Sequence, residues 1–315
     1  MHFKIPLLIG ILFFSTAPSA AQLAFERSST AQGPEYSYRW RDAAGEEKSV
    51  SFTLDGEILD KAPRAQKNYR PALAQRYVAV ELTKAAKTVD PKDAHVKIRQ
   101  QGDSVEVSVR SRHQEKLQHI QQQFAQAREQ AFSDYLEKHY YTRYITPLNQ
   151  QAVKPDHIRY INEYTQALIP LSQALYEQVV EQSDAREYFN LLLGWVQSIP
   201  YNALDDRADS NGSGFAPPAT LLAQNQGDCD SKSVMTAAIA KAFLPSTPMI
   251  LVLLKDHALL GIGLNSKSGE QTIKVDGTSF VLIEPTGPAL FPFGEVATST
   301  LQELASGRYT IEKIQ

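Results

Sequence analysis

The sequence lacks several features that would each indicate a broad class of protein. It has one cysteine, so no internal disulfide can form and the fold must rest on ordinary core packing. Its 32 lysines and arginines are outnumbered by 35 aspartates and glutamates, for a net charge of −3. Without a basic excess, a nucleic-acid-binding protein is disfavoured. No apolar run approaches the roughly 20 residues that a membrane-spanning helix needs.

The first 21 residues have the layout of a secretory signal peptide. Lys4 is the only charged residue before Glu26, and it precedes an apolar run at positions 5–14. Small residues follow up to Ala21, where we expect cleavage, with Ala17 and Ala20 as alternative sites. An uncleaved N-terminal anchor is the alternative, which the short apolar run disfavours. The sequence therefore predicts an exported, soluble protein, periplasmic or secreted, without a stable membrane anchor.

Hydrophobic periodicity predicts an α+β fold with several segments. Residues 22–34 are polar and small, which predicts a flexible N-terminus. Residues 35–111 alternate in two strand hairpins around a helix, and form a small α+β module. Residues 112–182 form a helical connector that begins with a long amphipathic helix, whose apolar seam favours packing within the chain. Residues 183–315 form a C-terminal domain, and it contains the single cysteine.

Cys229 is predicted to lie in the first turn of a buried, alanine-rich helix. Unpaired amides at a helix N-terminus carry partial positive charge, which favours a thiolate and can also stabilise an oxyanion. Gly227 allows a close backbone approach just before it. The carboxylates of Asp228 and Asp230 oppose ionisation of the thiol, so a neighbouring imidazolium has to offset them. A buried, inert cysteine is the alternative, and the single thiol taken alone favours it. The position at a helix start and the two partner residues described next favour a nucleophile.

A histidine and an acid follow on predicted strands. His257 begins the second strand of an antiparallel pair, after an apolar run at residues 249–254, and this pairing would return it beside the cysteine helix. Two further strands lead to Glu284, which stands at a strand end. An acid there can accept the imidazole N–H and fix the tautomer. Asp276 is a rival acid, although the turn formed with Gly277 explains it without catalysis.

These residues resemble the transglutaminase-like core of the papain-like superfamily. The motifs are Gly227-Asp228-Cys229-Asp230, His257-Ala258 and Glu284-Pro285-Thr286, preceded by the segments at 195–201 and 218–221. The resemblance covers residues 185–290, about a third of the chain. It implies a papain-like core, in which a helix bearing the cysteine packs on an antiparallel sheet, and a triad of nucleophile Cys229, base His257 and orienting acid Glu284.

The resemblance also implies an oxyanion site formed by the Cys229 amide and an upstream side chain, either Gln197 or Tyr201. The sequence departs from the family's pattern in two places. The acid is commonly aspartate, and Glu284 is one methylene longer. Calcium-dependent proteinases of the family carry an acid two residues after the nucleophile, where this chain has Ser231, so their calcium site is not carried over.

No metal or cofactor is predicted. The loop residues Asp205, Asp206, Asp209 and Asn211 can ligate calcium, but their spacing misses the helix-loop-helix pattern, which favours a plain surface loop. One cysteine and one well-placed histidine are too few ligands for zinc.

The predicted function is an exported, cysteine-dependent hydrolase that cleaves amide bonds of peptides or proteins through a thioester intermediate. Two alternatives remain. The same triad can transfer the acyl group to an amine, as a transamidase does. The thiol domain can also be a catalytically inert binding module or scaffold, with the N-terminal segments as the working parts.

Overall fold

The structure, a computed structural model, describes residues 21–146, 148–206 and 213–314, which form a mixed α+β fold. The predicted signal peptide, apart from Ala21, and the loop residues Asp209 and Asn211 lie outside this part of the chain. The helices are α1 Gly56–Leu59, α2 Pro71–Ala86, α3 Gln114–Lys138, α4 His157–Thr165, α5 Ile169–Tyr176, α6 Ala185–Ser198, α7 Pro218–Gln224, α8 Cys229–Phe243 and α9 Thr298–Ala305. The strands are β1 Ala21–Ser29, β2 Pro34–Arg41, β3 Glu47–Thr53, β4 His95–Gln101, β5 Ser104–Arg110, β6 Tyr141–Ile145, β7 Gln151–Pro155, β8 Met249–Leu253, β9 Ala258–Ile262, β10 Thr272–Val275, β11 Thr278–Ile283 and β12 Thr310–Ile314.

A five-stranded antiparallel sheet forms the centre of the C-terminal half, in the order β10-β11-β9-β8-β12. Alternate side chains point to opposite faces, so Leu251 joins the core on the helical face and Ile250 joins the core that includes residues of α9. Because both faces of the sheet are covered at its centre, β8 and β9 are continuous apolar runs. The predicted antiparallel pair of β8 and β9 is present; the pairing of β12 with β8 was not predicted.

Helix α8 lies in the middle of the helical layer, packed against α4, α5, α6, α7 and β9. Ten of its 15 residues are buried, from Ser231 to Ala240. The many alanines allow neighbouring elements to come close on all sides, as expected for a helix without a solvent-exposed face. The Ser233 hydroxyl donates to the carbonyl oxygen of Ala258 (3.1 Å), which ties the helix to the start of β9.

The N-terminal sheet β1-β2-β3 shares this core. Tyr38 on β2 contacts Trp195 on α6 edge to face, with ring centroids 5.3 Å apart, and both rings are fully buried. Burying an apolar side chain of comparable size contributes about 1.5–3 kcal/mol. The gain is smaller here, because the Tyr38 hydroxyl and the Trp195 indole N–H have no hydrogen-bond partner among the described residues. The core therefore crosses the predicted boundaries of the module at 35–111. Residues 22–29, expected to be flexible, belong to β1, which pairs with β2, and Phe25 packs on Tyr38.

A separate small core joins α2 and α3 to the hairpin β4–β5. The helix predicted between the two hairpins of residues 35–111 corresponds to α2, and the second of these hairpins corresponds to β4–β5. The hairpin β6–β7, which was not predicted, follows α3 and meets β12 through two contacts. Thr310 donates to the carbonyl oxygen of Ile145 (2.8 Å), and Lys154 Nζ lies 2.8 Å from Glu312 Oε2.

Across the described ranges, every helix falls short of the length or apolar character that a bilayer crossing requires.

Candidate active site

Cys229 is the first residue of α8, as predicted from the change of loop into helix. The preceding Asp228 is the N-cap, and its carboxylate accepts from the Ser231 amide (2.9 Å). Gly227 forms a β-bridge with Tyr201. A Cβ atom at Gly227 would lie 2.8 Å from Leu221 Cδ1, so a larger residue would require the Leu221 side chain of α7 to move.

His257 and Glu284 form the tightest polar pair of the site. His257 Nε2 lies 2.5 Å from Glu284 Oε1. The sheet produces this contact because β11 and β9 are antiparallel, with Ile283 opposite Leu260, so Glu284 follows β11 at the same end of the sheet at which His257 precedes β9. The rival Asp276 lies at the opposite end of β11, exposed, with its carboxylate 2.6 Å from Lys313 Nζ. The structure therefore brings Glu284, and not Asp276, to His257.

Glu284 is buried and held at three points. Besides the imidazole at Oε1, Thr300 Oγ1 of α9 lies 3.5 Å from Oε2. Gln197 Nε2 of α6 donates to the Glu284 carbonyl oxygen (2.7 Å). A carboxylate that is 2 % exposed is fixed in place by such partners. The extra methylene of glutamate is thus compatible with a close His–acid contact.

The pKa of His257 is raised above its usual value of about 6.5. Burial alone lowers it, but the hydrogen bond to Glu284, the charge of that carboxylate and the charges of Asp230 and Glu303 outweigh burial. The pair therefore stabilises the imidazolium that forms when the ring takes a proton, and this cation in turn stabilises a thiolate. With Nε2 engaged by Glu284, Nδ1 is the ring nitrogen left to act on the thiol.

The Cys229 sulfur makes weak contacts. Sγ lies 3.8 Å from Asp230 Oδ1 and 4.0 Å from the carbonyl oxygen of Asp256, the residue before His257. Within the described residues, no hydrogen bond joins the thiol to the His257 ring. Burial, Asp230 and Asp228 raise the pKa of the thiol well above its ordinary range. A raised pKa favours the neutral thiol, and the opposing effect of the flanking aspartates is present as expected.

The two predicted oxyanion candidates have different surroundings. Gln197 is 2 % exposed, and its amide nitrogen already donates to the carbonyl oxygens of Glu284 and Phe291 (2.9 Å). It has no donor left for an oxyanion, so this expectation is corrected: Gln197 positions the acid. Tyr201 is half-exposed and lines the same cleft as Cys229, and burial and the charge of the Cys229 thiolate raise its pKa.

Cys229 and His257 open into one cleft with a volume of about 1080 Å³. The hairpin β6–β7 contributes Tyr144 and Leu148 to its wall, and α9 contributes Glu303. Such a volume exceeds what a small molecule needs and accommodates several residues of an extended chain.

Several polar residues near the thiol were not assigned a role from the sequence. His157, placed among the polar helices, is 1 % exposed at the start of α4, and Nε2 lies 3.8 Å from Asp230 Oδ2. A spacing signal was available, because His157, Tyr160, Ile161 and Tyr164 occupy one helical face. Lys154 and Thr300 had no such signal, since they approach the site from β7 and α9.

Lys232 is a further buried polar residue in the first turn of α8. Its ammonium group donates to the carbonyl oxygen of Ile199, at the end of α6. Burial lowers the pKa of Lys232 to about 8, although the charge of Asp228 raises it. The contact fixes the segment that leads into Tyr201.

Nowhere in the described ranges do three histidine, cysteine, aspartate or glutamate side chains converge in a way that suits a metal ion. The chain matches no protein-family model, no curated protein and no solved structure.

Proposed function

We propose that the protein is an exported thiol hydrolase that cleaves amide bonds of peptides or proteins, with a transglutaminase-like form of the papain-like core. The observation that carries the proposal is the 2.5 Å contact between His257 Nε2 and the buried Glu284 carboxylate. This pair stands at the cleft into which a helix-terminal thiol opens. A buried helix led by the cysteine and packed on an antiparallel sheet supports the proposed core.

The chemistry follows from the roles of the three side chains. His257 Nδ1 takes the thiol proton, and the Cys229 thiolate adds to the carbonyl carbon, which places a negative charge on the oxygen. The Cys229 amide and the Tyr201 hydroxyl are the proposed donors to that oxyanion. Collapse breaks the C–N bond, the leaving amine takes the proton from His257, and a thioester remains.

Water completes the turnover. His257 accepts a proton from the attacking water, the second tetrahedral intermediate collapses to a carboxylic acid, and the sulfur leaves and is reprotonated by His257. Glu284 keeps Nε2 protonated throughout, so it orients the ring without itself taking a proton. The absence of a thiol–imidazole hydrogen bond within the described residues is compatible with this route, because catalytic contacts often tighten only when substrate binds.

Peptide cleavage tests the proposal. The purified protein is incubated with a mixture of denatured proteins, and the new peptide ends are identified by mass spectrometry, with and without an added primary amine. We expect new carboxyl termini that are absent with Cys229→Ala. The matched control is Asp276→Asn, which removes the exposed rival acid and should retain cleavage.

The outcomes separate the alternatives. Products that carry the added amine at the new carboxyl terminus would show that the acyl group is transferred to an amine, and the protein would then be a transamidase and not a hydrolase. Identical product patterns for the wild-type and Cys229→Ala proteins would overturn the proposal. The remaining alternative would be a non-catalytic binding protein.

A further inference from the structure

Asp230 is the carboxylate nearest to the proposed nucleophile. It follows Cys229 in α8, and its Oδ1 lies 3.8 Å from Sγ. The side chain lines the cleft and is 36 % exposed, so a bound molecule can reach it. A carboxylate at this position does not help the chemistry by itself, because its negative charge opposes formation of the thiolate.

The cationic side chains near Asp230 are engaged elsewhere. Lys154 Nζ lies 2.8 Å from Glu312 Oε2 and also donates to the carbonyl oxygen of Pro155 (3.3 Å). His157 Nε2 is 3.8 Å away, beyond hydrogen-bonding distance. Among the described residues, the Cys229 thiol is the hydrogen-bond donor that reaches the Asp230 carboxylate. Burial raises the pKa of Asp230, and the charges of Lys154 and His257 oppose that rise. Among the described residues, however, no cationic group lies within hydrogen-bonding distance of the Asp230 carboxylate.

His157 is an independent indication that something is missing at Asp230. The ring is 1 % exposed, and neither nitrogen has a hydrogen-bond partner among the described residues. An unpartnered buried polar group is rare and calls for an explanation. Its Nε2 is directed at Asp230 Oδ2, and the ring packs beside Phe215 with centroids 5.0 Å apart. A small movement of the carboxylate would let a neutral His157 donate to it.

The charge of the cleft agrees with a cationic occupant. Asp205, Asp228 and Glu303 line the same cleft as Asp230. Of the cations there, Lys255 lies 3.5 Å from its own neighbour Asp256, and Arg308 contacts Ser306. Five carboxylates line the cleft (Asp205, Asp228, Asp230, Asp256 and Glu303) against three cations, Lys154, Lys255 and Arg308, and such an excess of negative charge attracts cationic ligands.

We propose that Asp230 is the specificity-determining residue of the cleft, which receives an ammonium or guanidinium group of the substrate beside the scissile amide. The inference rests on the proposed amide hydrolysis and names its substrate class: peptides that present a lysine, an arginine or a free α-amino group at this position. His157 supports the carboxylate from behind once the cation is bound.

The same contact links binding to activation of the thiol. Asp230 is the largest charged contributor to the raised pKa of Cys229. A substrate cation beside it cancels that contribution, so the thiolate forms more readily when a cognate substrate is in place. A neutral or acidic substrate leaves that contribution in place, so the thiolate forms less readily. Specificity then arises partly at the attack step and not in binding alone.

The test measures binding first, so that it does not depend on turnover. Acetylated octapeptide pools with a central lysine or a central acetyl-lysine are titrated into Cys229→Ala protein, and binding is followed by fluorescence anisotropy. A third pool carries acetyl-lysine and a free α-amino group. We expect the lysine pool or the free-amine pool to bind about tenfold more tightly than the neutral pool, and the stronger of the two identifies the source of the cation.

The same titration with Asp230→Asn added should reduce the preference to about twofold or less. Asp256→Asn is the matched charge control. It removes one exposed carboxylate from the same cleft and should retain most of the preference. Equal binding of all three pools, or equal loss with Asp256→Asn, would overturn the role of Asp230.

Turnover of the same pools by the wild-type protein separates this inference from the proposed function. Cleavage of all pools at equal rates would refute the subsite while leaving the hydrolase intact. A binding preference that requires Asp230, without any cleavage, would retain the subsite and refute the hydrolase.

Discussion

The two histidine–carboxylate pairs near Cys229 differ in how completely they are assembled. His257 and Glu284 are 2.5 Å apart, and the acid is also held by Thr300 and Gln197. Asp230 and His157 are 3.8 Å apart, and the ring of His157 has no hydrogen-bond partner among the described residues.

Under the proposed roles, the difference is that between a preorganised base and an incomplete binding group. A catalytic base has to be oriented before substrate arrives, because reorganisation during the reaction would raise the barrier. A carboxylate that recognises a cation gains most when its partner comes from the substrate. Each prediction below perturbs one pair or the surroundings of the thiol.

The largest effect is expected from Glu284→Gln. The substitution keeps the shape but removes the charge that holds Nε2 protonated and raises the pKa of His257. Peptide cleavage should fall by about 10³-fold or more, because the ring loses its tautomer and its stabilised imidazolium. The pKa of His257, followed by NMR, should fall as well. Asp276→Asn is the control, and an unchanged cleavage rate in Glu284→Gln would contradict the assignment of the acid.

Substitution of Tyr201 tests the oxyanion site on the other wall of the cleft. Tyr201→Phe removes one hydroxyl from a half-exposed residue and should lower the turnover number by about 10²-fold, the effect of one oxyanion donor. Its free energy of unfolding should stay within about 0.5 kcal/mol of the wild-type value, since the ring remains. A turnover number equal to the wild-type value would exclude the hydroxyl from the reaction.

Alkylation of Cys229 tests the effect of Asp230 on the thiol in the absence of substrate. Since burial and the two flanking aspartates raise the pKa of Cys229, iodoacetamide should react more slowly at neutral pH than it does with a free cysteine. Asp230→Asn should accelerate the reaction only in part, because burial is the largest cause of the shift. The pH profile of labelling, followed by mass spectrometry, measures this. A wild-type rate at or above that of free cysteine would contradict the raised pKa.

The two histidines should give opposite pH dependences of stability. The pKa of His257 is higher in the folded protein than in the unfolded chain, so its stabilising contribution is complete below about 6.5 and is lost as pH rises through the folded value. Burial, with a smaller contribution from Lys154, lowers the pKa of His157, so its contribution is lost as pH falls below about 6.5.

Urea unfolding between about pH 5 and pH 8.5 measures how the free energy of unfolding changes with pH on each side of the unperturbed histidine pKa of about 6.5. His157→Phe suits a ring that already packs on Phe215 and should reduce the loss of stability in acid. His257→Gln should reduce the loss at higher pH. If the variants change the same limb of the profile, the two histidines do not have the opposite shifts described here.

Local pattern predicted much of the C-terminal half. The N-terminal position of Cys229 on a buried helix, the paired strands around His257 and the strand end at Glu284 follow from periodicity, helix-start residues and turn residues. These features depend on neighbours within a few residues, which is why a single sequence reveals them. The resemblance to the transglutaminase-like core joined them into one site.

The residues that the sequence did not assign are those whose roles depend on distant contacts. Gln197 has a side-chain amide that could donate to an oxyanion. In the structure this amide instead donates to the backbone carbonyl oxygens of Glu284 and Phe291, about 90 residues away in the chain. The position of strand β12 is set by its pairing with β8. The position of hairpin β6–β7 is set by its contacts with β12. Residues 22–29, polar in sequence, become ordered because β2 offers an edge.

The sequence by itself determined which groups can react: one thiol at a helix start, a histidine and an acid on neighbouring strands. The tertiary structure alone decided how they are surrounded, by placing Glu284 within 2.5 Å of His257 and leaving Asp230 3.8 Å from an unpartnered His157. The physical reason is that hydrogen bonding and burial depend on contacts between residues far apart in the chain, and these contacts set both the position and the charge of each group.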